Sequence, residues 1–154
     1  MFVRSVKLKR PGLLLAVIGA LITAFVVFAV IKAAAGRKVS FDLRTEADRL
    51  AFIRQMGWET SDKYSSCRSV TIPKEFSDVY EQYNELQKQQ GFDLGDYKGR
   101  TAEIYTYPIY NYEGHTDKDC MQLTLIIADG TLIGGDVCCT ELGGFMQGLR
   151  RLGS

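Results

Sequence analysis

Hydrophobic residues follow two different patterns in the two parts of this chain. Residues 12–31 form an unbroken apolar run, GLLLAVIGALITAFVVFAVI, in which Thr23 is the only polar residue. A helix rises about 1.5 Å per residue, so a run of this length spans the roughly 30 Å hydrocarbon core of a bilayer. We therefore predict one transmembrane helix at 12–31. From residue 45 onward the apolar residues recur at helix and strand spacings, which predicts a water-soluble domain over 45–150.

The residues that flank the apolar run predict its orientation. Segment 1–11 is a short basic tail, and segment 32–44, with its alanines and mixed charges, is typical of a tether. A basic tail before a long apolar run favours a cytoplasmic N-terminus, which places the domain outside the cell membrane. The small residues at 33–35 would also suit a signal peptidase. Because the run is longer than the about 7–15 apolar residues of a signal peptide, we favour an uncleaved single-pass anchor.

Two amphipathic helices are predicted in the domain. Thr45 and Asp48 have the spacing of a capping box at the start of the first helix, and Gly57 is placed to end it. The second helix ends at Gly91, with Phe92 in the position of a Schellman contact. Its apolar residues fall within one third of the helical circumference: Phe76, Val79, Tyr80, Tyr83 and Leu86.

Alternating apolar and polar residues predict about four strands, the last two of which form a hairpin around Asp129-Gly130. The predicted strands are 68–72, 100–107, 121–128 and 131–137. Gly134-Gly135 is expected to form a bulge and Gly143-Gly144 a tight turn. The order of elements predicts an α+β fold, in which two helices pack on one face of a small antiparallel sheet.

The charge of the domain excludes one class of partner. Five of the 19 Lys and Arg residues flank the apolar run, which leaves 14 bases against 18 acids and a net charge of about −4 for the rest. Nucleic acid binding requires a basic surface, so we predict none. The sequence also contains no dinucleotide or nucleotide motif, and we predict no cofactor.

Several segments together resemble a known family. They are IPKEFSDVYEQYNELQKQQGFDL, YKGR, YTYPIYNY, IGGDVCCTELGGF and GFMQGL. They are similar to the bacterial, Clostridia-type family of unknown function numbered 4830, over about residues 49–149. The resemblance implies a secreted or membrane-anchored protein and implies no activity. Cys138 stands where the family pattern has a cysteine, whereas Cys67, Cys120 and Cys139 look like additions.

The four cysteines allow a structural prediction. With Asp129-Gly130 as a two-residue turn, Ala128 faces Thr131, and Cys120 then lies opposite Cys139. A hydrogen-bonded antiparallel pair has a Cα separation of about 5.5 Å, which suits a disulfide. The other pairings, and four unpaired thiols, remain alternatives.

A thiol nucleophile is the enzymatic alternative. Cys138 would be activated by His115, the single histidine, with Asp136 or Asp117 orienting the imidazole ring. The loop around His115 is rich in glycine and aspartate, which favours a solvated histidine instead.

The same loop contains four residues that could ligate a metal ion, namely Glu113, His115, Asp117 and Asp119. The glycine and the later glutamate of a calcium loop are missing. A solvated acidic loop is the favoured interpretation, and we predict no metal site.

The tyrosines at the end of the second predicted strand are the candidate binding residues: Tyr105, Tyr107, Tyr110 and Tyr112. They would form either a flat surface for a ligand or ordinary cross-strand packing. We predict a non-catalytic extracytoplasmic module that binds a protein, peptide or envelope component through this surface or a sheet edge. A thiol-based enzyme or redox protein that uses Cys138 is the alternative.

Overall fold

The computed structural model describes residues 40–116 and 119–151. The predicted tail, transmembrane helix and most of the tether lie outside these residues. The described elements are, in chain order, α1 (Glu46–Gln55), β1 (Ser66–Thr71), α2 (Asp78–Gln89), a short 3-10 helix (Leu94–Tyr97), β2 (Thr101–Pro108), β3 (Met121–Ala128), β4 (Thr131–Cys139) and β5 (Met146–Gln147). No helix in this described part is long and apolar enough to cross a membrane.

The strands form one antiparallel sheet in the order β1-β2-β3-β4-β5, so every strand pairs with its neighbours in the chain. The predicted α+β class, with two helices and an antiparallel sheet, is confirmed. The sheet has one strand more than predicted, because two residues after the turn at Gly143 return to pair with the end of β4. A two-residue strand has no periodicity by which the sequence could indicate it.

The start of α1 and the C-terminal ends of both helices were predicted correctly from local residues. The Thr45 hydroxyl accepts from the Asp48 backbone N–H, and the Asp48 carboxylate accepts from the Thr45 N–H, which completes the capping box. Gly57 and Gly91 have φ of 90° and 87°. Phe92 N–H donates to the Gln87 carbonyl at 3.0 Å, as the Schellman motif requires.

The two helices cover opposite faces of the sheet, so the predicted packing on one face is wrong. Phe52 of α1 belongs to a core cluster with Leu125, whereas the next residue of β3, Ile126, packs in a second cluster with Tyr83 of α2. Successive strand residues point to opposite faces, so the two clusters lie on the two sides of the sheet. The continuous apolar run at the end of β3 reflects this burial on both faces.

The hairpin register changes part-way along β4. Ala128 pairs with Thr131 as predicted, but Ile133 has no partner in β3 and forms a bulge. Beyond it, each β3 residue pairs with the β4 residue one position later than predicted. Cys139 therefore faces Met121, and its predicted position directly opposite Cys120 is wrong. The sequence indicated a bulge at the neighbouring glycines but not its effect on register.

Side chains of α2 cover the outer edge of β4. Gln87 Oε1 accepts a hydrogen bond of 2.8 Å from Gly135 N–H, and Gln90 Nε2 donates to the Gly135 carbonyl at 3.0 Å. Nearer the hairpin, Leu132 N–H donates to the Phe41 carbonyl at 3.0 Å. β1 forms the other edge of the sheet, and its residues are exposed except for the half-buried Val70. The edge of β4 is thus closed to further strand pairing, whereas no described residue pairs with the outer edge of β1.

Candidate functional site

Tyr105 and Tyr107 do not form a surface for a ligand. Both are buried beneath α1, and Tyr107 is completely covered. The Tyr107 hydroxyl accepts from Arg49 Nε at 3.0 Å and donates to the Glu46 carboxylate at 3.1 Å. The predicted binding face is therefore wrong for these two residues, which instead pack across strands, as the alternative interpretation held.

Tyr110 and Tyr112 lie beyond the end of β2, on the loop that leads toward β3. Tyr110 is 48% exposed. The Tyr112 ring stacks on Trp58 with a centroid separation of 5.6 Å, and its hydroxyl donates to Gln147 at 2.8 Å. Tyr110 alone of the four predicted tyrosines is exposed, so they form no common flat surface.

Arg49 is a buried charge that no sequence pattern predicted. It is 5% exposed, and its guanidinium lies 4.0 Å from the centre of the Tyr105 ring. Besides Tyr107, it donates to the carbonyls of Leu43 and Arg44, both at 3.0 Å, and to a Glu46 carboxylate oxygen at 2.9 Å. This network fixes α1 to β2 and to the segment before α1.

Cys138 and Asp136 face α2 in a small buried polar cluster. Tyr83 donates a hydrogen bond of 2.7 Å to Asp136 Oδ1, and the Cys138 thiol also bonds to this carboxylate. Burial raises the pKa of Asp136 above its ordinary value. Burial and the neighbouring Asp136 together raise the pKa of Cys138 to about 11, so the thiolate is disfavoured at neutral pH.

His115 is placed with Cys120 and Cys139 and not with Cys138. One donor atom from each of His115, Cys120, Cys139 and Glu141 lies within 4.8 Å of every other. Cys139 belongs to the core cluster on the α1 face, whereas Cys138, its neighbour in β4, faces α2. The predicted Cys138–His115 pair is therefore not formed, because consecutive strand residues point to opposite faces.

Among the described residues, the candidate loop ligands Glu113 and Asp119 do not join His115 in the group of side chains that could hold a metal ion. Asp117 lies outside the described residues, and Asp119 is exposed. Glu113 approaches His115 through its backbone carbonyl oxygen, 3.5 Å from the imidazole Nδ1. In the part of the chain that the structure describes, the donors around His115 are the two cysteines and Glu141, and together these four side chains could hold a metal ion.

The predicted disulfide partners are close despite the register shift. The Sγ atoms of Cys120 and Cys139 are 3.1 Å apart, in contact but beyond the about 2.05 Å of a disulfide bond. Cys120 precedes β3, in a turn where strand alternation no longer fixes its direction. Its carbonyl accepts from Thr140 N–H at 2.8 Å, which holds the turn against the end of β4.

A groove of about 450 Å³ lies between α1, the end of α2 and the segment after β5. Its lining is mainly apolar, and its polar members are three glutamines and one arginine. The lining includes Phe41, Phe52, Met56, Leu86, Phe92, Leu149, Gln89, Gln90, Gln147 and Arg150. No sequence pattern indicates this groove, because its walls come from segments that only the tertiary fold brings together.

The sequence of this domain matches one known protein family. The family described as "Domain of unknown function (DUF4830)" matches residues 52–137, from the second half of α1 to Val137 in β4. The chain belongs to this family. The match confirms the resemblance, and it includes His115 and Cys120 but ends before Cys139 and Glu141. The chain matches no curated protein and no solved structure.

Proposed function

We propose that this DUF4830 protein is a membrane-anchored, extracytoplasmic binding module that holds a peptide segment of a partner protein in the groove. The observation that carries the proposal is the groove itself, whose volume of about 450 Å³ falls within the roughly 300–1,000 Å³ of small-ligand pockets. It lies beside the core and not at a cluster of catalytic groups, which favours binding over catalysis.

The lining selects the chemistry of the ligand. Phe41, Met56, Leu86 and Phe92 are half-buried and present apolar surface to the groove. Large apolar side chains on a peptide would gain most of their binding energy from contact with them. The glutamine side chains offer donors and acceptors for the peptide backbone.

Charge adds a second requirement. Arg150 is exposed at the groove, and none of the described residues that line it is acidic. A guanidinium binds a carboxylate through two parallel hydrogen bonds. We therefore expect a short peptide with two or three apolar side chains and a carboxylate, either an acidic residue or a C-terminus, directed at Arg150.

The groove is tested with one probe and three variants. Selection from a random 12-residue peptide library displayed on phage should enrich apolar sequences that contain an acid. Leu86→Gln and Arg150→Glu should each weaken the selected peptides at least tenfold. Val79→Gln is the matched control, because Val79 lies on the same helix, is 76% exposed and does not line the groove. Peptides that bind Leu86→Gln and the parent protein equally would contradict the proposal.

The compartment is tested separately. The apolar run at 12–31 supports the anchor, and the family resemblance supports an extracytoplasmic domain. Cys67 is an exposed thiol on β1 and serves as a natural reporter. A membrane-impermeant maleimide should label it on intact cells, and Cys67→Ser should remove that label. Labelling that requires cell lysis would place the domain inside.

The alternative, a thiol-based enzyme that uses Cys138, has weaker support. Such an enzyme needs a thiolate at neutral pH and a base beside it. The pKa of Cys138 is raised by burial and by Asp136, and His115 lies with the other cysteines. Binding is therefore the function that we put forward.

A further inference from the structure

We propose that His115, Cys120, Cys139 and Glu141 form a zinc-binding site. The observation is their convergence: donor atoms from all four side chains lie within 4.8 Å of one another. They come from two separate parts of the chain, the loop that leads into β3 and the segment that runs from the end of β4 into the next turn. The proposal does not depend on the peptide groove, which has a different lining.

The donor set matches the coordination chemistry of zinc. Zn²⁺ prefers four ligands in a tetrahedron, with Zn–S of about 2.3 Å, Zn–N of about 2.0–2.1 Å and Zn–O of about 2.0–2.2 Å. In such a tetrahedron the donor atoms are about 3.3–3.8 Å apart. The donor atoms of the cluster are up to 4.8 Å apart, so the outermost of them would move inward when zinc binds. The two sulfurs, now 3.1 Å apart, would separate by about 0.7 Å.

The two thiols are held in place by the backbone. Cys120 and Cys139 are 5% and 8% exposed, and both belong to the core cluster beneath α1. Cys139 N–H donates to the Phe145 carbonyl at 3.0 Å, and Thr140 N–H donates to the Cys120 carbonyl at 2.8 Å. Because these bonds fix both main chains, zinc would bind a partly formed site and require little reordering.

His115 packs against two aromatic rings that also contact each other. Its imidazole meets Tyr112 edge to face at 5.5 Å and Phe145 at 5.7 Å between centroids. Nδ1 is directed at the Glu113 carbonyl, 3.5 Å away. Zinc-bound histidines commonly donate their second ring N–H to such a carbonyl, which would leave Nε2 as the ligand. Glu141 is exposed and would close the solvent side of the site.

A disulfide between the same sulfurs is the competing state. Oxidation would join Cys120 and Cys139 with loss of two protons and two electrons, and the bonded sulfurs would no longer be thiolate ligands. That bond requires neither an imidazole nor a carboxylate. The presence of His115 and Glu141 beside the two sulfurs therefore favours zinc, which binds as both thiols release their protons.

The site is tested on the full chain, purified in detergent, reduced with a phosphine and stripped of metal. Zinc titrated against a chromophoric chelator should bind one ion per chain. Cobalt(II) should give the sulfur-to-metal charge-transfer band and the visible bands of a tetrahedral thiolate site. Cys138→Ser, adjacent in sequence but on the opposite face, is the matched control and should bind as the parent does. Cys139→Ser should lower the affinity for zinc by more than the roughly 10–100-fold that is lost with a residue that only hydrogen-bonds to a ligand.

A folding defect in Cys139→Ser is distinguished from loss of a ligand by a second variant. His115 is only half-buried, so His115→Gln should keep the circular dichroism spectrum of the parent. Its affinity for zinc should nevertheless fall as much as that of Cys139→Ser. Zinc should also raise the melting temperature of the parent and of Cys138→Ser, but not of His115→Gln. The proposal is overturned if the reduced chain gives no thiolate–cobalt band. Equal zinc affinity for the parent and His115→Gln, or for Cys139→Ser and Cys138→Ser, would overturn it as well.

Discussion

Tyr83 on α2 donates a hydrogen bond of 2.7 Å to Oδ1 of Asp136, a carboxylate that the sheet and α2 bury between them. The thiol of Cys138 bonds to the same carboxylate. This cluster joins the sheet to the helix that covers its second face. Because the carboxylate is almost entirely shielded from water, its charged form is costly despite the two donors, and its pKa is raised.

The raised pKa of Asp136 predicts how stability depends on pH. In the folded state this carboxyl binds its proton more tightly than at its ordinary pKa of 3.8. Its contribution to stability is therefore fully present below pH 3.8 and is lost as pH rises through the folded pKa. Asp136→Asn has no such titration. The free energy of unfolding of the parent, minus that of the variant, should fall as pH is raised from about 4.

Urea denaturation of both proteins across this pH range gives the measurement. A difference that grows with pH would mean that the Tyr83 and Cys138 donors outweigh burial and lower the pKa of Asp136. A difference that does not change with pH would mean that the folded and unfolded pKa values are equal.

Cysteine reactivity tests the enzymatic alternative directly. At pH 8 a thiol with a pKa of about 11 is only about one part in a thousand thiolate, and Cys138 is half-buried as well. We expect iodoacetamide to modify Cys138 far more slowly than the exposed Cys67, as read by peptide mass spectrometry. In denaturant the two rates should become similar. If Cys138 is instead the fastest thiol in the native protein, the enzyme hypothesis regains support.

Arg49 should be essential for stability. Arg49→Met keeps an unbranched chain but leaves the Tyr107 hydroxyl, two carbonyls and Glu46 without their shared donor. Breaking a buried charged network of this kind lowers the free energy of unfolding by about 3–5 kcal/mol. Because Glu46 is partly solvated, we expect a loss of about 2–4 kcal/mol. Arg54→Met is the control: Arg54 is exposed on the same helix, and its loss should change the free energy of unfolding by less than about 0.5 kcal/mol. Equal losses in the two variants would refute a special role for Arg49.

The features that were predicted correctly are those that depend on neighbouring residues. The Thr45 capping box and the left-handed glycines just after the C-caps, Gly57 and Gly91, satisfy backbone groups within one turn, so a short sequence is sufficient to specify them. The predicted stripe of α2 was less accurate. Val79 was assigned to it but is 76% exposed, because the helix contacts the sheet over a narrower arc than its apolar residues span.

The features that were missed depend on contacts between distant segments. Nothing local marks Arg49 as buried, since the two tyrosines that contact its guanidinium, Tyr105 and Tyr107, lie in β2. The register beyond Ile133 could not be read from the turn, because a bulge shifts every later pair. His115 could not be assigned to Cys139 without the fold, which separates Cys139 from Cys138 by placing them on opposite faces.

The turn after β4 carries Glu141 and Phe145, which lie beside His115. A substitution at one of its glycines tests what constrains this turn. Gly144 N–H donates to the Glu141 carbonyl at 2.9 Å, and a Cβ on Gly144 would overlap the carbonyl oxygen of Cys139. Gly144→Ala must therefore open the turn that carries Glu141 and Phe145. We expect it to cost about 1–3 kcal/mol in the free energy of unfolding, the range of an overpacked site. Gly143→Asn is the matched control, because Gly143 has φ of 78° with open space around it, and asparagine tolerates that conformation. Guanidinium denaturation should separate the two variants, and if Gly144→Ala proves as stable as Gly143→Asn, the close backbone approach at Cys139 does not constrain this turn.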